Sequence, residues 1–240
     1  ASYKQLVEFD LPAEILNIPE IKDLVDQQIN NSQIEINIQK NIKSKEIKNL
    51  VSQKVKIQYE KNPYPRWEKI ALKTTPEIPV KHFNNLNLNF SRELINDWDN
   101  INVLVAGCGT GQHAIATASK YKKSFITAID LSINSLSYAK RKADELEIKN
   151  IEFVQMDILN LKSINKKFNI IESIGVLHHM DNPFEGWKIL NDNLENGGMM
   201  MIGLYSNIAR EHIVKIRNDI KSKNFNFDKK NIIKFREKII

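Results

Sequence analysis

The sequence contains one cysteine, Cys108, in 240 residues. A single thiol excludes an intramolecular disulfide framework and a cysteine-rich zinc site, and it suits a reducing cytoplasm. No apolar run approaches the roughly 20 residues that a membrane helix needs. Residues 1–20 carry Glu8, Asp10, Glu14 and Glu20 and no apolar core, so no secretory signal is expected in them. Arginine is scarce beside lysine, 6 to 29, and the formal net charge is +6. That sum suggests an acidic partner until it is divided along the chain. Residues 1–100 hold 14 bases and 14 acids, residues 101–205 hold 11 and 11, and the last 35 hold 10 and 4. The surplus sits in the tail, which excludes a uniformly basic nucleic-acid-binding surface as the first explanation. Glycine is scarce as well, eight in all, yet three fall within Gly107-Cys108-Gly109-Thr110-Gly111.

What is present has a clear order. Residues 20–61 read as helical, with stripes at Ile21, Leu24, Val25 and Ile29 and at Ile47, Leu50, Val51, Val55 and Tyr59. Asn62-Pro63-Tyr64-Pro65 ends the second stripe, because each proline lacks an N–H and restricts the residue before it. Residues 74–90, with Pro76, Pro79 and several asparagines, read as an irregular connector. From Ile101 the pattern alternates. Strands are expected at 101–106, 125–129, 151–155, 168–173 and 199–205, with helices at 112–120, 133–147 and 183–194. Strands joined by helices of this length imply βαβ crossovers, and so a doubly wound α/β fold with a parallel sheet. After Tyr205 the periodicity is helical, through Ile213, Ile216 and Ile220 and then Ile232, Phe235 and Ile239.

The glycine cluster stands where the first buried strand hands over to a helix. Glycines there admit positive φ and close backbone approach, and the helix N-terminus offers free N–H groups to a ligand. Asp130 falls at the end of the next strand, 19 residues after Gly111, where a carboxylate can accept from both hydroxyls of a ribose. A nicotinamide fingerprint would need its third glycine at position 112, which is Gln112. A nicotinamide-dependent oxidoreductase is therefore disfavoured, and no hydride-transfer site is recognisable.

The ordered set of motifs resembles the class I S-adenosylmethionine-dependent methyltransferases over roughly residues 100–205. It comprises Val103–Gly111, Ala128–Ser132, Val154–Ile158, Phe168–Ser173, Gly175–His179 and the Gly197-Gly198 turn. The resemblance implies a Rossmann-like methyltransferase fold, S-adenosylmethionine as cofactor and S-adenosylhomocysteine as product. It implies that Gly107, Gly109 and Gly111 line the methionine part, that Asp130 holds the ribose, and that Leu131 and Ile158 sandwich the adenine. Asp157 would accept from the adenine amino group, with a turn cap as its structural alternative, and Ser173 falls at the same site. Two positions depart from the family. Val105 stands where an acid is common, and Asn169 replaces a usual aspartate.

Methyl transfer asks mainly for positioning and exclusion of water, so neither a metal nor an obligatory nucleophile is expected. His178 and His179, after the fourth strand, are the candidate proton acceptors, against a structural role for a Leu-His-His turn. Tyr59-Glu60-Lys61-Asn62-Pro63-Tyr64-Pro65-Arg66-Trp67 is the second informative segment. It resembles one in a bacterial subgroup of methyltransferase domains, some fused to tetratricopeptide repeats. It can close over the cofactor, with Arg66 on the methionine carboxylate and Tyr59, Tyr64 or Trp67 toward the acceptor; equally it can staple the N-terminal helices to the sheet. The run after the fourth strand, Glu172-Ser173-Ile174-Gly175, lacks the Asp/Asn-Pro-Pro-aromatic signature of base amino-methylases. The acceptor is thus expected to be a small molecule or a protein side chain rather than nucleic acid. A non-catalytic cofactor-binding sensor or scaffold is the alternative from another class. The expected organisation is a helical cap or lid over residues 1–85 and a cofactor domain over 86–240 that lacks the family's last strands. The strand edge so exposed invites a homodimer. A cytoplasmic location and no membrane association complete these expectations.

Overall fold

The computed structural model describes residues 6, 9–86, 88–95, 98–206, 208–222 and 229–237. The chain forms two compact units, Ala1–Gly203 and Leu204–Ile240.

The first unit is built on a six-stranded, all-parallel sheet. Its strands are β1 (Lys43–Ser44), β2 (Ile101–Ala106), β3 (Ser124–Asp130), β4 (Ile151–Gln155), β5 (Phe168–Ile174) and β6 (Leu194–Gly203). Their order is β1-β4-β3-β2-β5-β6, so the chain winds outward from β2 in both directions. The β2 sequence INVLVA explains its central place. Val103 and Val105 face one apolar cluster, Leu104 and Ala106 face the other, and all four are buried. Truncating Leu104, which has no exposed surface, to alanine would cost about 2–5 kcal/mol.

The helices of this unit are α1 (Ala13–Leu16), α2 (Lys22–Val25), α3 (Asn31–Gln39), α4 (Leu50–Lys61), α5 (Pro79–Asn84), α6 (Gln112–Lys120), α7 (Ile133–Glu145) and α8 (Pro183–Asp192). Asn49 caps α4 by accepting from Val51 N and Ser52 N at 2.9 and 3.0 Å. Helix α7 is capped twice. Ser132 accepts from Ser135 N at 3.0 Å, and Glu60, arriving from the end of α4, accepts from Ile133 N at 2.9 Å and Asn134 N at 3.0 Å. That arrangement fixes the end of α4 beside the start of α7. The second unit contains α9 (Glu211–Ser222) and α10 (Lys229–Glu237).

Three expectations need correction. The segment 20–61 is not two continuous helices: it passes through a π turn at Asp26–Asn30 and then contributes β1, where Lys43 and Ser44 pair with Val154 and Gln155. Within α4 the half-buried stripe runs through Val51, Val55 and Tyr59, while Leu50 is exposed. The connector 74–90 contains α5, whose first residue is Pro79, a position where a missing N–H costs nothing. The last strand begins at Leu194 rather than 199. Its pairing skips from Leu194 to Met199 while β5 advances only from Phe168 to Ile170, so Glu195–Gly198 bulge outward. Among the described residues no strand follows Gly203, and the outer side of β6 has no strand partner. Ile239 lies outside the described residues.

Candidate functional site

A cavity of about 510 Å³ lies at the C-terminal ends of β2, β3, β4 and β5, walled on its outer side by α4 and the Tyr64-Pro65 turn. In parallel α/β sheets this is where ligands bind, beside the strand at which the winding reverses.

The glycine loop forms its floor. Gly107 N and Cys108 N both donate to Ile129 O, at 2.8 and 2.9 Å, which folds the loop toward β3. Gly111 initiates α6 at φ +82°, and its missing side chain is required: a Cβ there would stand 2.4 Å from Ala139 Cβ on α7. A Cβ on Gly107, at φ +75°, would stand 2.3 Å from Val176 Cγ2. Burial pushes the Cys108 thiol well above its ordinary range, and the neighbouring Asp130 adds to the shift. Cys108 is therefore a protonated packing group at neutral pH, not a nucleophile.

Two carboxylates stand at successive strand ends. Asp130 Oδ2 accepts from Gly109 N at 2.8 Å and Oδ1 from Ser132 N at 2.9 Å, so the residue holds the glycine loop to α7. Each oxygen retains a second lone pair for a ligand hydroxyl. Burial raises the Asp130 carboxyl above its ordinary value against the pull of those N–H donors. Asp157 divides its functions between its oxygens. Oδ1 accepts from Leu159 N at 3.0 Å and caps the following turn, while Oδ2 is buried without a partner among the described residues, in a side chain that lines the cavity. A buried acceptor left open costs free energy unless a donor arrives, and the cavity is where a donor can enter. Leu131 and Ile158 line the same end.

The segment Tyr59–Trp67 divides its side chains between the cavity and the packing beside it. Tyr59 and Tyr64 line the cavity; Tyr59 lies edge-on to His179 at 6.2 Å between ring centroids. Trp67 does not line it. Its buried indole N–H donates to Thr110 O at 3.0 Å, while Thr110 Oγ1 donates to Pro65 O at 2.5 Å and the Tyr138 hydroxyl donates to Trp67 O. Trp67 is thus an anchor that straps the segment over the glycine loop. Arg66 is also committed elsewhere, with Nη2 2.9 and 3.1 Å from the two carboxylate oxygens of the buried Glu35. Arg141 Nε shares Glu35 at 3.0 Å, and both guanidinium groups stack over the Tyr138 ring.

Of the two candidate histidines, His179 lines the cavity and His178 does not. Ser173 is buried, its hydroxyl has no hydrogen-bond partner among the described residues, and it is not among the cavity-lining residues. Asn169 is structural, its Oδ1 accepting from Asn102 N at 2.9 Å.

The sequence reading missed two features. One is the Glu60 cap on α7. The other is Glu172, an acid inside the apolar run of β5 and only 2% exposed. It accepts from Thr117 Oγ1 at 2.7 Å, lies 2.8 Å from His113 Nε2 and sits 4.0 Å from Lys120 Nζ. Burial alone would raise its pKa, but the contacts with His113, Thr117 and Lys120 outweigh it and hold the carboxyl below its ordinary value. The signal was available: a charge in a strand buried on both faces requires a partner.

The site invites comparison with known proteins. An uncharacterized protein of Synechococcus sp. is 32% identical over 119 residues, which is 49% of this chain and 28% of that protein. The (S)-coclaurine N-methyltransferase of Papaver somniferum is 27% identical over 117 residues, 49% of this chain and 32% of that enzyme. The chain therefore spans about a third or less of these relatives' length. A solved S-adenosylmethionine-dependent methyltransferase from Clostridium acetobutylicum is similar at 28% identity, with a TM-score of 0.39 over 42% of this chain and 41% of that one. The methyltransferase-domain family matches residues 97–238, more than half of the chain and all of the glycine loop, Asp130 and Asp157, and the chain belongs to that family.

Proposed function

We propose that the chain is an S-adenosylmethionine-dependent methyltransferase that modifies a small, largely apolar acceptor bearing a nitrogen or oxygen nucleophile. The observation that carries the reading is the open Oδ2 of Asp157 in a 510 Å³ cavity whose neighbouring strand end presents Asp130. An adenine amino group is a donor that matches the first, and ribose hydroxyls match the second. The cofactor would supply an electrophilic methyl group, leaving S-adenosylhomocysteine. Gly107, Gly109 and Gly111 allow its chain to approach the backbone, and Tyr59 and Tyr64 shield the reacting end from water.

The acceptor class follows from the rest of the wall. Val55, Ile174, Val176 and Met180 contribute apolar surface, and no lysine or arginine lines the cavity among the described residues. A polyanion would find no cationic path there, which supports a small molecule over nucleic acid. The N-methyltransferase named among the relatives is in keeping with a nitrogen acceptor. Within residues 1–85, which also contribute β1 to the sheet, α4 and the strap act as the cap.

The test is calorimetric titration with S-adenosylhomocysteine. Asp130→Ala and Asp157→Asn each weaken binding about 10- to 150-fold, the cost of a lost hydrogen bond to a charged acceptor. In a thermal-shift comparison S-adenosylhomocysteine stabilises the protein and NAD does not. Unchanged affinity in both variants would sink the assignment, and binding without methyl transfer would leave a sensor or scaffold in its place.

A further inference from the structure

We infer that His113, held by the buried carboxylate of Glu172, is the group that takes the proton from the methyl acceptor. The inference rests on the methyltransferase reading above and assigns a catalytic residue within it.

His113 lines the cavity, and its ring is 40% exposed although Nε2 itself is buried beside Glu172. Nε2 stands 2.8 Å from Glu172 Oε2, with its N–H direction off the line joining the two atoms. Such contacts in ligand-free sites commonly tighten when substrate binds. An ionised carboxylate can only accept, so in a neutral ring facing it the proton belongs on Nε2. The lone pair is then on Nδ1, the nitrogen directed away from Glu172. This is the division of labour in carboxylate–imidazole pairs: one group fixes the tautomer and the other exchanges the proton. Glu172 remains an acceptor at neutral pH because Thr117 and Lys120 also engage it. His179 lines the same cavity but rests edge-on against Tyr59. The buried carboxylate behind the ring distinguishes His113.

The balance is simple. The lone pair of an acceptor N–H or O–H forms the bond to the methyl carbon, the carbon–sulfur pair returns to sulfur, and the surplus proton goes to Nδ1 of His113. An acceptor that needs deprotonation is the class such a site serves; a thioether or a preformed anion would gain nothing from it.

The full chain is tested by two measurements on wild type, His113→Gln, Glu172→Gln and Glu172→Asp. The first is calorimetric binding of S-adenosylhomocysteine and of 5′-methylthioadenosine, which lacks the amino-acid half. The second is transfer of tritium from methyl-labelled S-adenosylmethionine into the small-molecule fraction of a cell extract. The expected result is unchanged binding of both nucleosides by His113→Gln with transfer reduced roughly 100- to 10,000-fold, the usual contribution of a general base. Glu172→Gln lowers kcat without moving the KM for the cofactor, and Glu172→Asp recovers part of the loss. Full transfer by His113→Gln overturns the inference. So does loss of S-adenosylhomocysteine but not methylthioadenosine affinity, which would make His113 a ligand of the amino-acid group. Wild type that binds S-adenosylhomocysteine and transfers nothing also overturns it. Wild type that binds neither nucleoside instead refutes the parent reading.

Discussion

Replacing Gly111 by alanine adds one methyl group, and the structure fixes its consequences in two parts. The backbone at φ +82° lies in the left-handed region, where a Cβ costs about 1–2 kcal/mol. The new carbon would also stand 2.4 Å from Ala139 Cβ, against the ~3.5–4.0 Å of an ordinary carbon contact. Both partners are short side chains on helices, so α6 and α7 must separate, and overpacking of that kind costs about 1–3 kcal/mol. The sum is about 2–5 kcal/mol, or a fall in Tm of roughly 4–20 °C at the 2–4 °C per kcal/mol typical of this size. Gly175 supplies the control. Its φ is +74°, and a Cβ there meets nothing within 4 Å, so Gly175→Ala carries the backbone part alone. Ala139→Gly supplies the rescue, because it removes the atom that clashes, at a helix-propensity cost of about 1 kcal/mol. Urea denaturation followed by circular dichroism gives all four free energies. The double variant is expected to be more stable than the sum of its parts by most of the packing cost. If Gly111→Ala is no less stable than Gly175→Ala, or if the double variant is additive, the close approach of α6 to α7 is not what requires this glycine.

Other expectations follow from single contacts. Glu60→Ala removes the acceptor for Ile133 N and Asn134 N and lowers stability by about 1–2 kcal/mol, read by the same denaturation; an unchanged midpoint would show that Ser132 alone suffices as cap. Asp157→Asn keeps an oxygen for Leu159 N, so its stability stays close to wild type while S-adenosylhomocysteine binding falls; equal losses in both would make Asp157 only a cap. Glu172 has a folded-state pKa below its ordinary value of 4.5, so its contribution is fully present above that value and is lost as pH falls through the lower folded value. Stability measured from pH 7 downward should therefore decline less steeply on the acid side in Glu172→Gln than in wild type, and parallel curves would contradict the shift.

The core of the fold was legible because its strands are buried on both faces and must be written in apolar residues. Ile101–Ala106 and Ile151–Gln155 agree residue for residue with the expectation, and Ser124–Asp130 extends the expected strand by one residue at each end. Strand β1 could not be found this way. Lys43 and Ser44 are both exposed, and their place is set by the partner edge, where Lys45 N donates to Gln155 O at 2.8 Å. Helix α5 was hidden by reading Pro79 as a breaker when proline also starts helices. The Gly197-Gly198 pair marked a real departure from pairing, but as a bulge inside β6 rather than a turn before it.

The candidate site was legible where a residue acts from its own strand end and obscure where it acts across strands. Asp130 and Asp157 each follow an apolar run and each meets the cavity. Arg66 and Trp67 looked like lid residues because they share a short segment with Tyr59 and Tyr64, yet their side chains engage Glu35 and Thr110 instead. Val105 looked like a missing acid. In the sheet Val105 is the register partner of Glu172 on β5, and parallel partners present their side chains on the same face. The acid that the resemblance led one to expect on β2 thus has a counterpart one strand over in Glu172, which lies 2.8 Å from His113 Nε2. A scan of one motif at a time cannot see that exchange, because the two positions are 67 residues apart and become neighbours only through the β2–β5 ladder.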